Sequence, residues 1–151
     1  MRVLRHEFGE VNLLADSATG LSVIGIDHLV LRVGDVERSA DFYCTYLGAI
    51  REQEELWKSG NRNFLSLRIG SALLDLTPAN EPGAVGNRGV AHICLEVTGA
   101  APEDVRSLLE SEEILVERSV SSTRVGARGS GSSLYVTDPD GYRIELKWYD
   151  E

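Results

Sequence analysis

The sequence predicts an α+β domain built from two βαβββ modules. Strand-like segments alternate with two amphipathic helices, and the order of these elements is the same in both halves of the chain. Two of the three histidines, His28 and His92, occupy equivalent points of this repeat. A repeat of this size defines the architecture, because one module cannot bury its apolar face alone and needs a partner module.

The patterned part of the chain, residues 24–149, is predicted to form a single domain. Residues 1–23 lack clean periodicity and are predicted to form an N-terminal extension. A stretch rich in Pro, Gly and Asn divides the two modules and is typical of a linker. The predicted boundaries are 24–78 for module one, 79–88 for the linker and 89–149 for module two.

Module one is predicted to begin with a strand at 26–33, in which apolar and polar residues alternate. Asp35 suits the N-cap of a helix over 36–47, and Gly48 suits its C-terminal stop. Three further strands follow, at 50–57, 64–69 and 72–77.

Module two repeats this order. A strand at 90–97 precedes a helix that starts near Pro102, a favoured first helical position. The segment 114–120 is predicted to be a strand, and the Gly-, Ser- and Arg-rich segment 121–132 a mobile loop. Strands at 133–137 and 142–148 are joined by a turn at 138–141, whose residues suit a tight connection.

Strand periodicity places His28, His92 and Glu145 opposite the apolar faces of their strands. Two imidazoles and one carboxylate form a set that binds divalent metals. Asp75, on the last strand of module one, matches Glu145 and supplies a fourth candidate ligand. A lone strand histidine is more often hydrogen-bonded or exposed than a ligand, but the matching positions of two histidines favour a metal. His6 lies in the unpatterned extension and is predicted to be a surface residue.

The chain resembles the vicinal oxygen chelate superfamily, which includes glyoxalase I, fosfomycin-resistance proteins, bleomycin-resistance proteins and extradiol dioxygenases. The resemblance covers roughly residues 24–149 and rests on segments 26–33, 39–43, 46–48, 90–97 and 138–146. It implies that the two modules curl into a cup-shaped mixed sheet around a metal held by His28, His92 and Glu145. Glyoxalase I has a Glu at the fourth place, where this chain has the shorter Asp75. Either the backbone lies closer there, a water bridges the gap, or Asp75 is not a ligand.

Further residues are predicted to face the cup by strand parity. Ser66, Arg68, Ser133 and Tyr135 oppose apolar neighbours and are candidates for binding a polar or anionic substrate. A salt bridge on an open sheet face is an equally good interpretation of Arg68. Arg128, with Arg124, lies in the Gly-rich segment, which could close over a substrate, although most such segments are merely mobile.

The predicted ligands suit Zn, Ni, Mn or Fe, and the sequence does not select one of them. The metal would stabilise an oxyanion on the substrate, and Glu145 or Asp75 would act as general base. If only three protein ligands bind, open positions on Fe(II) would permit oxygen activation instead.

Composition excludes several other classes of protein. The formal net charge of −9 argues against nucleic acid or an anionic membrane surface as a partner. No apolar run approaches the roughly 20 residues that span a bilayer. No secretory signal is visible, and Cys44 and Cys94 are predicted to be buried, reduced thiols, so the expected location is cytoplasmic.

The predicted function is a metal-dependent glyoxalase-like enzyme, of lyase or isomerase type, that chelates vicinal oxygens of a small polar substrate. Three alternatives remain open: an extradiol-type dioxygenase, a fosfomycin-resistance-type transferase and a metal-free binding protein like those for bleomycin. The extradiol enzymes usually have longer chains, and the transferases have basic residues that this chain lacks after Trp148. The resemblance also implies a homodimer, either with exchanged modules or with each module pair within one chain.

Overall fold

The computed structural model describes residues 18–19, 21–80, 86, 89–117 and 121–149. Residues 1–17 of the predicted extension and most of the predicted linker lie outside this description. No helix in the described part of the chain is long and apolar enough to cross a membrane.

Module one forms a four-stranded sheet with the strand order β1-β4-β3-β2. Strand β1 runs parallel to β4, and the other neighbours are antiparallel. Helix α1 begins and ends where the sequence predicts, because the Asp35 side chain accepts a hydrogen bond from the Arg38 amide and Gly48 adopts a left-handed conformation. The elements are β1 His28–Val33, α1 Val36–Leu47, β2 Ile50–Glu52, α2 Glu54–Lys58, β3 Leu65–Ile69 and β4 Ala72–Pro78.

Module two has the same topology, with the strand order β5-β8-β7-β6 and a parallel pair between β5 and β8. Two four-stranded mixed sheets, each of the order βαβββ, confirm the predicted α+β fold class. The elements are β5 Ile93–Glu96, α3 Pro102–Ser111, β6 Ser121–Gly126, β7 Gly129–Thr137 and β8 Arg143–Trp148.

Three parts of the predicted secondary structure are wrong. The strand predicted at 50–57 stops at Glu52 and continues as the short helix α2. Of the strand predicted at 114–120, the described part contributes one isolated bridge, Val116 to Val136. The regular strand, β6, lies instead in the segment predicted to be a mobile loop.

The glycines of this segment serve close packing in the β6–β7 hairpin. A Cβ added at Gly131 would lie 2.2 Å from the backbone oxygen of Trp148. A Cβ added at Gly126 would lie 2.5 Å from the Lys147 side chain. Glycine within a strand often marks such a close approach, and here it lets the hairpin fold over the end of β8.

A polar network joins the two modules at helix α1. The Asp140 carboxylate accepts hydrogen bonds from the Gly34 amide at 2.8 Å, from Arg38 at 3.0 Å and from the Ser39 hydroxyl at 2.6 Å. Tyr43 donates to Asp138 at 2.7 Å. The turn predicted at 138–141 therefore fixes module two against module one, and one apolar core runs through both modules.

Candidate metal centre

Glu145 is the centre of a buried polar cluster in module two. Ser133 donates to Glu145 Oε1 at 2.6 Å, and His92 Nε2 lies 3.0 Å from Oε2. Tyr135 is paired with Glu145 across β7 and β8, and its ring meets the His92 ring edge to face at 5.6 Å. Burial raises the pKa of Glu145, but hydrogen bonds from Ser133 and Tyr135 and the charge of His92 outweigh it, so the pKa lies below its ordinary value.

Lys147 belongs to this cluster, although the sequence analysis did not single it out. Its side chain is 2% exposed and donates to the Arg124 carbonyl at 2.7 Å and to Ser133 Oγ at 3.2 Å. The amine nitrogen lies 3.9 Å from Glu145 Oε1. Its separation of two residues from Glu145 on one strand was the signal that could have revealed it, because such residues share a face.

Module one holds the matching pair, His28 and Asp75. Asp75 is buried and accepts a hydrogen bond from Ser66 at 2.6 Å, directly across β3 and β4. The His28 side chain is 51% exposed, and its Nδ1 lies 2.6 Å from Asp27 Oδ1. The hydrogen bond to Asp27 raises the pKa of His28.

We call the pairs His28–Asp75 and His92–Glu145 the two half-sites. The strand register places them at equivalent positions in the two sheets. Val30 pairs with Asp75, and Cys94 pairs with Glu145, so each carboxylate lies opposite the residue two places after the histidine. Cys94 is exposed on β5, and Cys44 on α1 is only partly buried, so the prediction of two buried thiols is wrong for both. Partial burial of the thiol, followed by the charge of Glu145, raises the pKa of Cys94 to about 11.

The four predicted ligands fall into two pairs within one chain. Among the described residues, no three His, Cys, Asp or Glu side chains are grouped so that they could hold a metal ion. The donor chemistry of each pair nevertheless fits a divalent metal, because each supplies an imidazole and a hydrogen-bonded carboxylate. The assembled four-residue centre stays a prediction.

The predicted substrate-binding arginines are paired with carboxylates. Arg68 donates to Glu52 at 2.8 and 3.0 Å, which agrees with the salt-bridge interpretation. Arg128 pairs with Glu96 and lies over the Tyr149 ring. Their role in binding substrate stays a prediction.

Arg143 was missed by the sequence analysis. Its guanidinium lies 4.0 Å from the centre of the Tyr135 ring and donates to Glu117 at 2.5 and 2.6 Å. It therefore fixes the position of the Tyr135 ring, which contacts His92.

An apolar cavity of about 390 Å³ lies between β1 and β5, and it is lined by Leu29, Leu47, Ile69 and Ile93.

Comparison with known proteins identifies the family. The sequence model of the Glyoxalase/Bleomycin resistance protein/Dioxygenase superfamily matches residues 25–146. The chain therefore belongs to this superfamily, as its repeat and its strand order predict. Members of the superfamily typically use divalent metals.

Relatives cover most of the chain at modest identity. A probable lactoylglutathione lyase of Synechocystis is 30% identical over 125 residues, which cover 79% of this chain and 91% of that protein. A glyoxalase domain-containing protein of Mycosarcoma maydis, RDO1, is 33% identical over 135 residues, which cover 87% of this chain and 72% of that protein. The crystal structure of the virulence protein STM3117 of Salmonella typhimurium superposes with a TM-score of 0.65 at 29% identity, covering 85% of this chain and 98% of that one.

Proposed function

We propose that the protein is a metal-dependent glyoxalase-like enzyme, of lyase or isomerase type, that binds a small polar molecule through two neighbouring oxygens. The observation that carries the proposal is the repeated pair of an imidazole and a buried carboxylate, His28 with Asp75 and His92 with Glu145. Several relatives named lactoylglutathione lyase, at about 30% identity, support this class of reaction.

His28, His92 and Glu145 would hold the metal, with Asp75 at the fourth place. A bound divalent ion, Zn, Ni, Mn or Fe, would supply Lewis-acid stabilisation of an oxyanion on the substrate. His28 Nδ1 is hydrogen-bonded to Asp27, which leaves Nε2 as the nitrogen that would bind the metal. This arrangement is common among metal-binding histidines.

Glu145 is also the better placed general base. Its hydrogen bonds keep it ionised at neutral pH, and its burial shields a transferred proton from water. Tyr135 lies against both His92 and Glu145 and would orient the two groups relative to each other. Asp75 has one methylene less than Glu, so its reach toward a shared centre is shorter.

We further propose that the complete site forms between two chains. The two half-sites are not grouped within one chain, and β1 and β5 are edge strands of the described sheets, as are β2 and β6 at the opposite edges. An unpaired edge is a ready surface for pairing with another chain. In an exchanged homodimer, His28 and Asp75 of one chain would meet His92 and Glu145 of the other.

Metal binding by tag-free protein tests the enzyme proposal. Stripped protein, titrated with Zn, Ni, Mn and Fe(II) by calorimetry, should take up about one metal per site. Failure to bind any of them better than ~100 μM, which is ~5.5 kcal/mol, would reject the proposal. Loaded protein should then form or consume lactoylglutathione, the compound that the relatives' name contains.

Mixing two inactive variants tests the exchanged dimer. His28→Ala chains and His92→Ala chains should each lose the site, whereas an exchanged heterodimer of the two recovers one intact site. Pairing within one chain would recover none. A monomer in sedimentation at tens of micromolar would contradict the dimer.

A further inference from the structure

Each candidate carboxylate ends a series of three groups: a cation, a serine hydroxyl and the carboxylate. In module two, Lys147 Nζ donates to Ser133 Oγ at 3.2 Å, and Ser133 Oγ donates to Glu145 Oε1 at 2.6 Å. Module one has the same order, with Arg62 at 3.5 Å from Ser66 and Ser66 at 2.6 Å from Asp75.

The direction of the hydrogen bonds in module two is fixed by Lys147. A lysine ammonium has donors and no acceptor, and a serine hydroxyl has a single hydrogen. Ser133 therefore accepts from Lys147 and must give its own hydrogen to Glu145 Oε1. The other oxygen, Oε2, is left facing His92 at 3.0 Å.

Burial of a charged amine costs folding free energy unless the amine is paired, and Lys147 is almost fully buried. It closes the end of the sheet by bonding to the Arg124 carbonyl, but that bond uses only one of its three donors. A second donor bonds to Ser133 Oγ, and the nitrogen lies 3.9 Å from Glu145 Oε1 and 5.4 Å from the centre of the Tyr149 ring. The cation comes from β8 in module two and from the loop before β3 in module one, so the shared order is not a by-product of the sequence repeat.

We propose that Lys147, acting through Ser133, is a positioning residue that holds Glu145 Oε1 and thereby presents Oε2 beside His92. Arg62 and Ser66 have the same relation to Asp75 through a longer contact. The role assigned to Lys147 rests on the proposed metal-binding function of Glu145.

Ser133→Ala and Lys147→Met test the proposal, with Ser39→Ala as the matched control. Ser39 is also fully buried and donates to a buried carboxylate at the same 2.6 Å, but its acceptor is Asp140, at the module junction. The ring-nitrogen NMR signals of His92 in metal-free protein at fixed pH report how Glu145 faces His92. The signals are assigned with His92→Gln, and calorimetric titration with Mn(II) and Zn(II) reports metal affinity.

Ser133→Ala and Lys147→Met should each shift the His92 signals, and Lys147→Met should add nothing in the Ser133→Ala background. Ser39→Ala should leave them in place. Ser133→Ala should also bind metal at least about tenfold more weakly than Ser39→Ala, since loss of an outer hydrogen-bond partner typically costs 10–100-fold.

An equal shift of the His92 signals by Lys147→Met in the wild-type and Ser133→Ala backgrounds would overturn the proposal, because Lys147 would then act on His92 without Ser133. Unmoved His92 signals, or equal metal affinities in Ser133→Ala and Ser39→Ala, would overturn it as well. If Ser133→Ala does not fold, an unmoved signal in Lys147→Met alone is sufficient to reject it. Wild-type protein that binds no metal would contradict the proposed function. The NMR comparison would still test the role of Lys147 and Ser133, because it uses metal-free protein.

Discussion

Replacement of Asp140 by Ala should strongly destabilise the protein, because this carboxylate joins the two modules. The change removes the acceptor of three hydrogen bonds, from Gly34, Arg38 and Ser39. The Ser39 side chain is fully buried, so its hydroxyl cannot turn to water for a new partner.

The size of the effect follows from the three bonds taken separately. A hydrogen bond to a charged group contributes roughly 1.5–3 kcal/mol, which applies to the bonds from Gly34 and Ser39. Arg38 is 54% exposed and rehydrates, so its bond contributes about 0–1 kcal/mol. The expected loss is therefore about 3–7 kcal/mol, a large part of the roughly 5–15 kcal/mol that stabilises a typical domain.

Urea unfolding followed by tryptophan fluorescence measures this loss, since Trp57 and Trp148 report on one module each. Asp41→Ala is the control, because Asp41 lies on α1 beside the partners of Asp140 but is 74% exposed in a surface ion pair with Arg51. The control should lose about 1 kcal/mol or less. A loss below 1 kcal/mol for Asp140→Ala would show that the junction does not stabilise the fold.

Three further predictions address single residues. Asp75→Ala should keep most of the metal affinity that His92→Ala loses, and equal losses by titration would make Asp75 a full ligand. Asp27→Asn should lower the pKa of His28 toward its ordinary value in an NMR titration, and an unchanged pKa would contradict the pairing. Because the folded pKa of His28 is raised, the stability that this pair contributes is present below pH ~6.5 and is lost as the pH rises through that folded pKa. Gly131→Ala should cost at least about 2 kcal/mol in urea unfolding, since its Cβ would meet a backbone oxygen that cannot move aside, and a smaller loss would mean that the hairpin relaxes.

The elements with strong local signals could be predicted from the sequence. Helix α1 has both an N-cap residue and a C-terminal glycine, and its bounds agree with the prediction to the residue. The first and last strands of each module have clear alternation, which also placed His28 on the exposed side of β1. The repeat then gave the architecture, because equivalent elements in two halves constrain each other.

Other features depend on contacts that are distant in sequence. The glycines at 126–131 suggest mobility when they are considered locally, yet they allow β6 and β7 to pack on Tyr149 and the end of β8. Lys147 resembles an ordinary exposed charge near the end of a strand until this hairpin covers it. Arg143 is similar, because its contact with Glu117 joins residues that are 26 positions apart in the chain.

The candidate ligands are more buried and more fully hydrogen-bonded in module two than in module one, which suggests that the two half-sites contribute unequally to metal affinity. In module two, Glu145 is buried, bonded to Ser133 and already paired with His92, so little ordering is needed when a metal binds. In module one, His28 is half exposed and its hydrogen-bond partner, Asp27, is more exposed still. Preorganised ligands bind more tightly, because the free energy of ordering them is spent on folding rather than on binding. We therefore expect module two to set most of the metal affinity, with module one completing the site when the two are brought together.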